Sequence, residues 1–226
     1  MARSRLAAAL SVCLAVTACA SADTIIDHFT TKPTTNWPLT LTDTGSTSVL
    51  EIWGHSVPED ARYTQLTAVA MDIPGVDRIT TDIYPANSLL EYESSSGATG
   101  QLLLEYGTAL PSGGSGMRLG LAPGTVNVRF LNYDFPSSQP LNLVLTGYSD
   151  TGSVAYGAKT ISAGAQTVSF DLSSFQGAIE GLELEIDAPA GADYRLDYIS
   201  VVPEPATLSL LALGGLALLR RRRNRA

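Results

Sequence analysis

The central part of this 226-residue chain predicts an all-β fold, a sandwich or a barrel built from many short strands. Between Asp23 and Val202, no segment has the 3.6-residue apolar periodicity of an amphipathic helix. Short runs of alternating or β-branched residues follow one another instead. Gly, Pro, Ser, Asn and Asp fill the gaps between them, and strands with turn signals at this spacing are typical of sandwiches and barrels.

The first half of this region contains six predicted strands, each a run of alternating or β-branched residues. They cover Thr24–Thr30, Ser48–Trp53, Gln65–Ile73, Arg78–Tyr84, Leu89–Glu93 and Gln101–Tyr106. Ser94–Gly100, which is rich in Ser and Gly, lies between the last two. Because such residues favour turns, we expect a hairpin loop there.

The second half contains six more predicted strands, after a loop rich in Gly and Ser at Leu110–Gly116. They cover Thr125–Leu131, Leu141–Tyr148, Val154–Ile161, Gln166–Leu172, Leu182–Ile186 and Tyr194–Val201. In Leu182–Asp187, apolar and acidic residues alternate without exception, so the apolar side chains are expected to point inward and the carboxylates outward. Val126, Val128 and Phe130 alternate with polar residues in the same way.

Three segments resemble strands of the galactose-binding-like jelly roll, the fold of many carbohydrate-binding modules. They are Ile25–Phe29, Thr167–Phe175 and Tyr194–Val201. The resemblance implies a jelly-roll-like sandwich whose first and last strands lie side by side. It also implies a structural calcium ion near those strands, with Asp27 and Asp197 as the matched carboxylates. Either could instead be a surface or turn-capping residue, because Ca²⁺ needs several oxygen ligands. No other cofactor is expected.

The C-terminal segment has three parts in a fixed order. Pro203, Glu204 and Pro205 come first, and the prolines favour an extended, exposed conformation. The apolar run 206–219 follows, rich in the helix formers Leu and Ala. Its 14 residues would form about 21 Å of helix. Four arginines, Arg220, Arg221, Arg222 and Arg223, end the run and would stay on the cytoplasmic side of a membrane.

This order resembles the PEP-CTERM sorting signal of Gram-negative bacteria. The resemblance implies export, processing by an exosortase in the inner membrane, and association with exopolysaccharide or biofilm. The apolar run is shorter than a bilayer core of about 30 Å, which favours a transient sorting signal over a lasting anchor. The alternative is an ordinary membrane anchor followed by a basic stop.

The N-terminal segment has the pattern of a secretory signal peptide. Arg3 and Arg5 precede the apolar stretch 6–16, and Ala20-Ser21-Ala22 offers a small-x-small cleavage site. These features predict a mature chain that begins at Asp23. They also predict three regions, namely a signal peptide at 1–22, a β-sandwich domain at 23–202 and a sorting signal at 203–226.

An alternative processing site lies a few residues before this cut. The segment 16–19 loosely resembles a lipobox, in which Cys19 would be lipidated and become the first residue. Cys13, the only other cysteine, also lies in the leader. After the cut at Ala22, the mature chain would contain no disulfide and no thiol chemistry.

The charge of the region 23–202 is strongly negative. It contains seven Lys or Arg residues and 21 Asp or Glu residues, a net charge of −14. Such a surface repels phosphate groups, so binding to nucleic acid is not expected.

No catalytic pattern is present in the sequence. Neither His28 nor His55 belongs to a metal-ligand spacing, and no Gly-x-Ser-x-Gly elbow occurs. Glu91 and Glu93 lie two apart on a predicted strand and so share one face, which indicates a solvated surface. A glycosidase would place two carboxylates across a cleft.

Aromatic residues in loop-like contexts are the candidates for sugar binding. Trp37 lies beside Asn36 and Tyr133 beside Asp134, and aromatic faces next to amides or carboxylates suit a sugar. We therefore predict a non-enzymatic envelope or extracellular-matrix protein, structural or associated with exopolysaccharide. The alternatives are a carbohydrate-binding module and a polysaccharide-active hydrolase or lyase.

Overall fold

The computed structural model describes residues 23–32, 36–52, 61–107, 118–134, 139–149, 152–161 and 164–203. Within these ranges the regular structure is thirteen β-strands and one 3₁₀ turn at Pro85–Asn87, which confirms the all-β prediction. The strands are β1 (Thr24–Asp27), β2 (Leu39–Leu41), β3 (Gly45–Ile52), β4 (Ala61–Met71), β5 (Ile79–Tyr84), β6 (Leu89–Ser94), β7 (Ala98–Gly107), β8 (Gly124–Asp134), β9 (Leu141–Ser149), β10 (Gly152–Ile161), β11 (Gln166–Asp171), β12 (Gly181–Ala188) and β13 (Asp193–Pro203).

The strands form two antiparallel sheets that pack face to face. The first sheet has seven strands in the order β11-β8-β13-β6-β5-β2, with β1 paired to β13. The second sheet has six strands in the order β10-β9-β12-β7-β4-β3. From β6 onward the chain passes repeatedly from one sheet to the other, so the sandwich is jelly-roll-like.

The first and last strands lie side by side, as the jelly-roll resemblance implies. Thr24 on β1 is opposite Val201 on β13. The register of β13 shifts between Arg195 and Tyr198. On one side, β13 pairs with β6 through its first residues and with β1 through its last, while β8 runs along the other side.

The core lies between the sheets and follows the alternation of the sequence. Leu182, Leu184 and Ile186 are buried, as predicted, and the acidic residues between them face outward. The core of the first sheet includes a stacked pair, Tyr92 and Tyr194, whose ring centroids are 4.7 Å apart. Burying aromatic and aliphatic area of this kind supplies most of the stabilisation in a domain without disulfides.

Two sequence predictions need correction at this level. β2 was not predicted, because its three residues are too few to show an alternating pattern. The predicted hairpin at Ser94–Gly100 is wrong, because β6 belongs to the first sheet and β7 to the second. The turn is real, but it carries the chain between the sheets, and the partner of β6 is β5 on one side and β13 on the other.

Candidate functional site

Asp27 lies at the end of β1 and is completely buried between the two sheets. Its Oδ1 accepts a hydrogen bond of 2.7 Å from the backbone N–H of Phe29. Its Oδ2 accepts one from the Arg62 guanidinium and one of 2.8 Å from the Tyr106 hydroxyl. Both carboxylate oxygens are therefore engaged by the protein itself.

The two side-chain partners of Asp27 come from the second sheet, so this group links the two sheets. Arg62 on β4 and Tyr106 on β7 both point into the core and are buried. The Arg62 guanidinium also lies 5.5 Å from the centre of the Phe29 ring, a cation–π contact. Burial raises the pKa of Tyr106 well above its ordinary value, and the Asp27 charge adds to that rise. Tyr106 therefore remains a neutral donor.

Asp197, the second carboxylate of the calcium hypothesis, lies on β13 and pairs with Arg129 on β8. The distance from Arg129 Nε to Asp197 Oδ2 is 3.4 Å, and both side chains are partly exposed. Among the described residues, no group of three or more His, Cys, Asp or Glu side chains is arranged to hold a metal ion. A calcium role for Asp27 and Asp197 stays a prediction.

The two aromatic candidates lie in different environments. Trp37 precedes β2, and its partly buried ring packs against the core. Its indole N–H is buried without a hydrogen-bond partner in the described part of the chain. Tyr133 lies within β8, opposite Tyr194, and not in the loop that the sequence suggested. A ligand role for either residue stays a prediction.

The outer face of the second sheet carries a broad array of hydrogen-bonding side chains. On β4 the Tyr63 hydroxyl donates to Gln65 Oε1 at 2.9 Å, and the Gln65 amide donates to Thr67 Oγ1 at 3.3 Å. On the next strands, the Gln101 amide donates to Asp187 Oδ1 at 2.9 Å. These side chains are partly buried, so the hydrogen bonds hold them in fixed positions on the surface.

Two tyrosines mark one end of this face. Tyr63 on β4 and Tyr148 on β9 are separated by β7 and β12, and so by roughly 15 Å at the usual strand spacing. The Tyr148 hydroxyl donates to Glu183 Oε2 at 3.1 Å. We call the surface formed by Tyr63, Gln65, Thr67, Gln101, Asp187 and Tyr148 the polar face. It combines aromatic rings with planar amides and carboxylates, the groups that bind sugars.

Acidic residues form a stripe along the middle of the same surface. Glu183, Glu185 and Asp187 alternate with core residues on β12. Partial burial raises the pKa of Glu185, and the charges of Asp187 and Glu183 add to that rise. The stripe disfavours anionic ligands and leaves neutral ones as the better match.

The outer face of the first sheet carries a second cluster of carboxylates around a shallow depression. Asp193 on β13 lies opposite Glu93 on one side and Asp134 on the other. Burial raises the pKa of Asp193, and the charges of Asp134 and Glu91 raise it further. A hydrogen bond from the Ser94 backbone N–H lowers this pKa, but the net change is a rise. Like charges in directly opposite positions destabilise a sheet, so this row is a cost to the fold.

The predicted sharing of one face by Glu91 and Glu93 is confirmed, because both line this depression. Glu91 accepts a hydrogen bond of 2.6 Å from Arg195 Nε and also pairs with Arg195 Nη2. The Glu91 side chain is only 13% exposed, whereas Glu93 is exposed, so the predicted solvated face holds for Glu93.

The start of the sorting motif is part of the folded domain. β13 ends at Pro203, which lies opposite Gly124 on β8. β13 thus includes one residue beyond Val202, and the division of the chain at 22/23 and 202/203 stays a prediction. Glu204, Pro205, the apolar run and the arginines from Arg220 to Arg223 lie outside the described residues, as do the leader at 1–22, Trp53 and His55. Among the residues that the structure describes, no helix is long and apolar enough to cross a membrane.

Comparison with known proteins confirms the sorting-signal prediction. Residues 201–223 match the PEP-CTERM protein-sorting motif. The match indicates an exported protein with a C-terminal sorting segment. No curated protein matches the chain.

Several solved structures of carbohydrate-binding modules show a weak similarity to this chain. A mutant of a family 29 carbohydrate-binding module has a TM-score of 0.36 and 10% sequence identity, and the match covers 70% of this chain and 92% of that one. A family 28 module specific for non-crystalline cellulose has a TM-score of 0.37 and 12% identity, and the match covers 55% of this chain and 78% of that one.

Proposed function

We propose that this chain is an exported, non-enzymatic protein of the cell envelope or extracellular matrix, delivered by its sorting signal. The observation that carries this proposal is the motif match at residues 201–223, which begins within the last strand of the folded β-domain. The apolar and basic segment would hold the chain in the inner membrane until an exosortase-type enzyme removes it. The leader at 1–22 and its cut before Asp23 complete the proposed route.

Mass spectrometry of the mature protein tests this function. We expect a C-terminus that lacks the segment Arg220–Arg223, and we expect Glu204→Ala combined with Pro205→Ala to leave that segment in place. Glu93→Ala, an exposed change on the first sheet, is the matched control and should be processed normally. A mature form of the unaltered chain that retains the arginines would contradict the proposal.

The polar face supports a second function, the binding of a neutral extended polysaccharide such as a matrix exopolysaccharide. Tyr63 and Tyr148 would contact sugar rings about three strands apart, with Glu183 on a strand between them. The amides of Gln65 and Gln101 lie farther along the face, beyond Tyr63, and would bond hydroxyl groups there. The acidic stripe of β12 supports a neutral ligand over a sulfated or phosphorylated one. A non-catalytic role suits this surface, because binding needs a wide array and not a carboxylate pair across a cleft.

A glycan array probed with the mature domain tests this second function. We expect Tyr63→Ala to weaken binding by about tenfold or more, the loss typical of a buried aromatic contact. Tyr84→Ala, at an exposed tyrosine on the first sheet, is the control and should bind normally. Trp37→Ala tests the separate prediction that Trp37 contacts the ligand. Absence of binding to every neutral glycan, or unchanged binding by Tyr63→Ala, would rule out the polar face.

A further inference from the structure

The end of β13 is shared between the fold and the sorting signal. The match to the sorting motif begins at Val201, and Val201 is buried in the core, with only 1% of its surface exposed. Thr24 on β1 lies opposite Val201 on one side. Thr125 and Gly124 on β8 lie opposite Val202 and Pro203 on the other. The first residues of the matched motif are thus paired within the sheet.

Gly124 allows β8 and the end of β13 to approach closely. A Cβ atom at position 124 would lie 2.2 Å from the carbonyl oxygen of Val202 and 2.8 Å from Cα of Pro203. Real Cβ contacts are not that short, so only glycine fits while the strands stay paired. The carbonyl oxygen of Gly124 also accepts a hydrogen bond of 2.7 Å from the Leu172 N–H, which ties the start of β8 to the end of β11.

No spacer separates the last strand from the Pro-Glu-Pro sequence. Pro203 is both the last residue of β13 and the first residue of that sequence. An enzyme that binds an extended peptide by strand addition uses the main-chain N–H and C=O groups of that peptide, including those next to the recognised side chains. Here the backbone on the N-terminal side already pairs with β8 and β1, and the bulk of the sandwich adjoins it.

We propose that the end of β13, from Val201 to Pro203, must detach from β8 and β1 before the sorting enzyme can bind the motif. This proposal rests on the proposed sorting function and adds a control step to it. Strand ends open locally far more often than whole domains unfold, so the step is accessible without global unfolding. The rate of processing would then scale with the fraction of molecules whose strand end is open.

A flexible spacer between Val202 and Pro203 tests the proposal in the full-length chain. Gly-Ser-Gly-Ser inserted there would place the whole Pro-Glu-Pro sequence outside the sheet. In cells that contain the sorting enzyme, we expect pulse–chase labelling to show tail removal about tenfold faster than in the unaltered chain. The same spacer between Asp43 and Thr44, in the exposed turn after β2, is the control and should leave the rate unchanged.

Gly124→Ala provides an independent test from the opposite strand. Its added Cβ should push the end of β13 away from β8 and so accelerate tail removal without any change in the tail. Thermal denaturation of the exported domain would show that the variant still folds. Equal rates for the unaltered chain and the spacer variant would overturn the detachment step alone. If neither the unaltered chain nor any of the variants lost its tail, the sorting function would be overturned and this proposal with it.

Discussion

Replacing Asp27 by alanine is expected to reduce the free energy of unfolding by about 3–5 kcal/mol, the usual cost of removing one partner from a buried ion pair. The change would leave the Arg62 guanidinium buried without its carboxylate. It would also remove the acceptor of the Tyr106 hydroxyl and of the Phe29 backbone N–H. Because Arg62 and Tyr106 belong to the second sheet, the loss should loosen the contact between the sheets.

Urea denaturation of the domain measures this effect, and two further variants identify its cause. Asp27→Asn keeps the shape and the acceptor for Phe29 but removes the charge, so we expect a smaller loss. Asp27→Leu combined with Arg62→Met removes both charges and should recover much of the stability lost in Asp27→Ala, because apolar replacements of buried pairs are often neutral.

Asp197→Ala is the matched control for the ion pair, because it breaks a partly exposed pair with Arg129. Such pairs contribute about 0–1 kcal/mol. If Asp27→Ala cost no more than Asp197→Ala, the Asp27 cluster would not be a link between the sheets.

The alternation of side chains made most of the fold predictable from the sequence. Leu182, Leu184 and Ile186 face the core because apolar and acidic residues alternate there, and strands with that pattern lie close to their predicted ranges. The pairing of β1 with β13 also followed from the jelly-roll resemblance. The path of the chain between the sheets could not be predicted, because a turn such as Ser94–Gly100 has the same composition whether it closes a hairpin or crosses the sandwich.

The buried cluster could not be predicted from local sequence. Arg62 occupies a core-facing position of β4, where the alternating pattern leads one to expect an apolar residue. Its partner Asp27 lies 35 residues away along the chain. Only the sandwich brings them together, and an arginine at a core-facing strand position was the one signal available. The sorting signal could be predicted from local sequence, because its three parts are contiguous.

Replacing Gly107 by alanine is expected to destabilise the domain by about 2–5 kcal/mol. Gly107 ends β7 with φ of +96°, a conformation that costs other residues about 1–2 kcal/mol. Its Cβ would also lie 2.2 Å from the carbonyl oxygen of Glu180 and 2.8 Å from Cα of Gly181. Those atoms are backbone and cannot rotate away, so forcing them apart should add about 1–3 kcal/mol.

Gly177→Ala separates the two contributions, because Gly177 has a similar φ of +89° but no atom within 4 Å of the position that a Cβ would occupy. It should therefore show the conformational cost alone, about 1–2 kcal/mol. Comparing the two variants by urea denaturation gives the cost of the close approach between β7 and β12. Equal losses would mean that the backbone at Glu180 yields easily and that β12 is not fixed against the end of β7. A larger loss in Gly107→Ala would mean that this contact fixes the register of two central strands of the second sheet, the strands that carry Gln101 and Asp187 of the polar face.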